Sequence, residues 1–109
     1  MKEKSLWYCF REAINSIEDG QLISRKKLLV KVGNIYSEKL SGGSFDIYRQ
    51  TLTNIKVLEW IDRGIYKKVQ NFPESLTTSK AHKLENQMRW YPSWKDWFAE
   101  NLEERIKML

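Results

Sequence analysis

Two carboxamides one helical turn apart, Gln50 and Asn54, are the side chains of this 109-residue sequence best suited to specific chemistry. A carboxamide donates and accepts at once, so on an exposed helix it can make the paired hydrogen bonds that an adenine edge offers in the major groove of a duplex. Ile47 and the methyl of Thr53 fall on the same side of that helix and match thymine methyl groups, while Arg49 at its margin matches guanine or a phosphate. The competing reading is a solvated helix face, which selects the same polar residues. Asp46 on this side repels phosphate, but as a first-turn acid it complements the helix dipole.

Cations flank the amides. Arg63, Lys67 and Lys68 sit at or next to a tight turn, and Arg25, Lys26, Lys27 and Lys31 follow Ser24 at the start of another helix, where free backbone N–H groups already favour phosphate. Residues 25–70 carry ten basic and four acidic side chains, against three and four in residues 1–24 and six and six in residues 71–109. The formal net charge of +5 therefore comes from the middle of the chain, and that confinement implies a polyanionic partner.

Other chemistries find little support. His82 is the single histidine and has no Cys or second His beside it, so no zinc site and no metal are expected. Ser41-Gly42-Gly43-Ser44 lacks the lysine of a phosphate-binding loop, and no enzyme activity or cofactor is expected. Cys9 has no partner for an internal disulfide and reads as a small buried hydrophobe suited to a reducing cytoplasm. No apolar run approaches the ~18 residues of a membrane span, and the charged start of the chain argues against a secretory signal.

The elements that position these residues follow from periodicity. Leu6, Phe10, Ala13, Ile14 and Ile17 predict a first helix closed by Gly20, and Gln21-Leu22-Ile23 a short strand. Ser24 caps a second helix with Leu28 and Val32 inward, ending at Gly33-Asn34 or continuing to Leu40. Ser41 to Ser44 reads as a loop with Ser44 capping a third helix over 45–57, whose inner side holds Phe45, Tyr48, Leu52 and Ile55. Asp62-Arg63-Gly64 then joins two strands, with Trp60 and Tyr66 expected in the packing of the hairpin. The predicted fold class is mainly α with a small β-hairpin.

Residues from about 6 to 73, and most clearly Ser44 to Pro73, resemble a winged helix-turn-helix domain of small prokaryotic and phage DNA-binding proteins. The resemblance rests on the order helix, strand, helix, helix, strand, strand, and on Ser-Phe-Asp-Ile-Tyr-Arg-Gln-Thr-Leu followed by Arg-Gly-Ile-Tyr-Lys. It implies double-stranded DNA as partner, a helix at 45–57 in the major groove, a wing around Arg63 on the backbone, and a transcriptional or replication role. The chain departs from the pattern at Lys56-Val57, where such proteins often carry glycine, and in the long connection from Gly33 to Ser44.

Residues 74–109 read as a helical extension of a 1–73 domain. Leu84 and Met88 stand four apart, and Trp94, Trp97, Phe98, Leu102, Ile106 and Leu109 form a terminal apolar stripe. That stripe either packs within the chain or joins two copies. Half-site symmetry favours the homodimer, with Trp94, Trp97, Phe98, Leu102 and Leu109 at its interface and a chain cut after Pro73 still folding. An alternative from another class is an adaptor that binds a protein partner through this aromatic surface.

Overall fold

A computed structural model describes residues 5–90 and 102–109. Three of its helices begin at a serine whose hydroxyl accepts a first-turn N–H left without an intrahelical partner. Ser5 accepts from Tyr8 ahead of α1 (Leu6–Asn15), Ser24 from Lys27 ahead of α2 (Arg25–Ile35), and Ser41 from Ser44 ahead of α3 (Gly42–Asn54), each at 3.1 Å. The cap of α3 is thus Ser41, not Ser44. Gly42 and Gly43 enter the helix, and the Ser44 hydroxyl is held by that of Ser41 at 3.0 Å. The helix accordingly starts and ends three residues earlier than its expected bounds of 45–57.

β1 (Leu22–Ser24), β2 (Leu58–Asp62) and β3 (Ile65–Lys68) form one antiparallel sheet in the order β1-β3-β2. Gly64 supplies the positive φ, 71°, that the turn between β2 and β3 requires. Pairing of Ile23 and Trp60 with Tyr66 puts these three on the inner face, and Leu22, Glu59 and Lys67 on the outer one. Tyr66 is buried as expected. Trp60 is not: it is 58% exposed, because its edge strand carries it past the rim of the core.

α1 stops at Asn15, five residues before Gly20. The Asn15 amide turns to the chain after β3, donating to the Phe72 carbonyl at 2.9 Å and accepting from its N–H at 2.7 Å. Gly20, at φ 87°, serves instead in the turn to β1, where its N–H reaches the Lys68 carbonyl at 2.7 Å. α2 runs through Gly33-Asn34 and ends at Ile35, one residue past the shorter of its two readings.

The core gathers around α1. Phe10 stacks on Phe45 with ring centroids 5.2 Å apart, and Trp7 meets the edges of Tyr48 and Phe72. The Trp7 indole N–H donates to the Leu76 carbonyl at 2.7 Å. α4 (Thr78–Trp90) adds Ala81, Leu84 and Met88 to this same cluster. Residues 102–107 are helical and bury Leu102 and Ile106 there too, while Arg105 donates to Gln87 on α4 at 3.0 Å. Leu102, expected between two chains, is therefore 2% exposed inside its own. Trp94, Trp97 and Phe98 lie outside the described residues, and Leu109 is 37% exposed.

Removing everything after Pro73 would strip Leu76, Ala81, Leu84, Met88, Leu102 and Ile106 from one continuous core. We expect the chain cut there to lack a cooperative urea transition by circular dichroism, contrary to the expectation from sequence. Leu84→Ala in the full chain should cost about 2–5 kcal/mol, the range for a fully buried leucine. A cooperative transition in the cut chain would place the core within residues 5–73.

Candidate nucleic-acid interface

The exposed stripe of α3 is Ile47, Gln50 and Asn54, at helical spacings of three and four. Ile47 is 62% exposed, an unusual solvent burden for an isoleucine at the centre of a helix. The Gln50 amide has no hydrogen-bond partner among the described residues. The Asn54 amide donates to Glu85 of α4 at 2.7 Å, so one of its two hydrogen-bonding ends is engaged within the chain. Thr53 is half-buried, and its hydroxyl donates back to the Arg49 carbonyl at 2.8 Å.

The basic residues divide by what they touch. Arg25 grips both oxygens of Asp46 through Nε and Nη2, each at 2.9 Å. Arg49 reaches Asp46 through Nε at 3.2 Å and donates from Nη1 to the Tyr66 hydroxyl at 2.7 Å, with its guanidinium 5.0 Å above that ring. Both arginines, expected to contact DNA, are instead turned into the joint between α2, α3 and β3. Lys67 pairs with its cross-strand neighbour Glu59 at 3.2 Å.

Lys68 departs furthest from its expected place on the phosphate side. Its side chain is 2% exposed, and the ammonium donates to the Ile17 carbonyl and the Asn71 side chain, with Asp19 at 3.1 Å. These partners gather just beyond the end of α1, where unpaired carbonyls collect partial negative charge and welcome a cation. A phosphate has no access to it.

What remains is Lys26, Lys27, Lys31 and Arg63, all exposed and none in an ion pair among the described residues; Lys31 donates to the Ser16 hydroxyl at 2.9 Å, away from the hairpin turn. The backbone brings the start of α2, which bears Lys26 and Lys27, beside the turn that bears Arg63, and Lys27 also lines a surface with Ser16, Gln21 and Lys31. The Arg25 N–H donates to the Gly64 carbonyl at 2.8 Å, which seats the hairpin turn on the first residue of α2. Asp46 then ties that corner to the first half of α3. His82 is exposed and lies 3.6 Å from Glu85, and no group of three or more metal-binding side chains occurs among the described residues. No described helix is long and apolar enough to cross a membrane.

Asp46, expected only to repel phosphate or to complement the helix dipole, binds both Arg25 and Arg49. The Arg25 hydrogen bonds hold its carboxyl below the ordinary aspartate range, Arg49 adds to this, and partial burial works against it; Asp46 in turn raises Arg25. The Asp46–Arg49 spacing of three was readable as a helix pair. The partnership with Arg25, twenty-one residues away, carried no local signal. No family model, curated protein or solved structure matches the sequence.

Asp46→Asn should destabilise the fold by about 1 kcal/mol at pH 7, a figure held low because Arg25 and Asp46 are 38% and 41% exposed. Since the folded-state pKa of Asp46 is the lower one, its contribution is complete above the unfolded value of about 4 and is lost as the pH falls through the folded value. Urea titrations should therefore show the gap between the two proteins closing in that acid window. A gap of equal size at pH 7 and in strong acid would rule out charge as its origin.

Proposed function

We propose that this chain binds double-stranded DNA, laying the Ile47–Gln50–Asn54 face of α3 in the major groove. The observation that carries the reading is the sorting of cations. Arg25, Arg49, Lys67 and Lys68 are engaged inside the chain, while Lys26, Lys27 and Arg63 are left unpaired at the corner that adjoins the start of α3. Free cations beside an exposed polar helix suit a phosphate backbone next to a groove. The sequence of helix, strand, helix, helix, strand, strand supports the resemblance to winged helix-turn-helix regulators, with the Arg63 turn as wing.

In this reading phosphate contact falls to Lys26, Lys27 and Arg63, and base contact to Gln50 and Ile47, with Asn54 contributing its free end. A regulator of transcription or replication in the cytoplasm of a prokaryote, acting without cofactor, fits that arrangement. Two-fold half-sites would match a homodimer. With Leu102 in the core, the apolar side chains left for such contact among residues 102–109 are Met108 and Leu109, 67% and 37% exposed.

Fluorescence anisotropy on a random duplex across a salt series tests the proposal. Replacing Lys26, Lys27 and Arg63 with Ala should flatten the slope of log K against log salt by up to about 2.7, at roughly 0.9 per contact, whereas Lys68→Met should leave it unchanged. Absence of any duplex binding at low salt would overturn the reading.

Base readout needs a second measurement. On a preferred site selected from random duplexes, Gln50→Ala should cost about 1–3 kcal/mol, with little loss on random DNA. Equal losses on both would reduce Gln50 to a backbone contact.

A further inference from the structure

A second surface lies at the far end of α3, where β2 and α4 frame a cleft of about 470 Å³. Its walls include Lys56, Glu59, Trp60, Glu85, Met88 and Arg89. The two carboxylates are already engaged, Glu59 with Lys67 at 3.2 Å and Glu85 with Asn54 at 2.7 Å. Lys56 and Arg89 form no ion pair among the described residues; Lys67 neutralises Glu59, while Glu85, held by a neutral amide, keeps its charge, so the cleft is left with an excess of one positive charge. In the same lining Trp60 holds 58% of its surface open to solvent, while Met88 is buried.

We propose that this cleft binds an acidic peptide segment of a partner protein, seating an apolar side chain against Trp60 and a neighbouring carboxylate between Lys56 and Arg89. A tryptophan flanked by an arginine is the combination on which binding energy concentrates at protein interfaces. A duplex backbone suits the cleft less well. It offers no apolar group to cover Trp60. A small ligand is also disfavoured, because a cleft whose aromatic wall is more than half exposed cannot enclose most of a compact molecule.

The backbone supports a role for Lys56. It adopts φ 69°, the only positive φ of a non-glycine among the described residues, and Gln70 donates to its carbonyl at 3.0 Å. That left-handed residue closes α3 and so fixes where the Lys56 side chain leaves the end of the helix. The inference does not rest on the DNA reading, although the two sites adjoin: Asn54, placed at the groove there, also lines this cleft and holds its Glu85.

The probe is a synthetic peptide alternating Asp with Phe and Leu, compared with the same peptide bearing Asn for Asp and with a short DNA duplex, each titrated into the full chain and followed by amide and indole NMR signals. The acidic peptide should shift signals from residues 53–60 and 85–89 saturably, and the Asn version should bind far more weakly. Trp60→Ala and Arg89→Glu, both changes at exposed positions, should each weaken binding roughly tenfold, while Lys26→Ala should not. Circular dichroism establishes that each variant is folded. Three results would overturn the proposal: no saturable shift, shifts located elsewhere, or a duplex that shifts the Trp60 indole and residues 85–89 as the peptide does, which would assign the cleft to DNA.

Discussion

The arrangement depends on Arg25 being used twice. Its backbone N–H holds the hairpin turn through Gly64, and its guanidinium holds α3 through both oxygens of Asp46. One residue at the first position of α2 thereby fixes the relative placement of two helices and a hairpin. Planar bidentate geometry suits such a joint better than a lysine could, because two parallel bonds set orientation as well as distance. Arg49 and the Tyr66 hydroxyl extend the same network to β3. The polar joint sits at the rim, and the stacked Phe10 and Phe45 lie inside.

This joint explains why the visible cations were a poor guide to the surface. Charge counts located the basic third of the chain correctly, but an arginine facing a carboxylate from another helix is spent on structure. The local pattern found Ser24 as a cap, Leu28 and Val32 as inward residues, and Gly64 as the turn glycine, since each depends on neighbours in sequence. It erred where partners are distant. Asn15 ends α1 by bonding to Phe72, fifty-seven residues on, and Lys68 is drawn inward by Ile17, Asp19 and Asn71. The cap of α3 was misplaced for another reason: two glycines resembled a loop, yet Ser41 was able to start a helix through them.

The C-terminal residues show the same limit. A terminal amphipathic stripe states only that something must cover it, and Leu102 and Ile106 are covered by the chain's own core. The likeness to a free-standing domain ending at Pro73 overlooked that Trp7, on the first helix, already needs the Leu76 carbonyl for its indole N–H. A buried indole without that acceptor would leave a donor unsatisfied, which is a cost a small core tolerates badly.

Lys56 closes α3 with two bonds, from its own N–H to the Thr53 carbonyl at 3.2 Å and from the Val57 N–H to the Leu52 carbonyl at 3.0 Å. That pair of bonds is the usual left-handed ending of a helix, and glycine is the residue it most often carries. Selection for stability alone would drift toward glycine at this position, because a side chain there is held in a disfavoured conformation at about 1 kcal/mol. A lysine in that place is carried at a cost to stability, and sequence libraries screened only for folding should replace it with glycine.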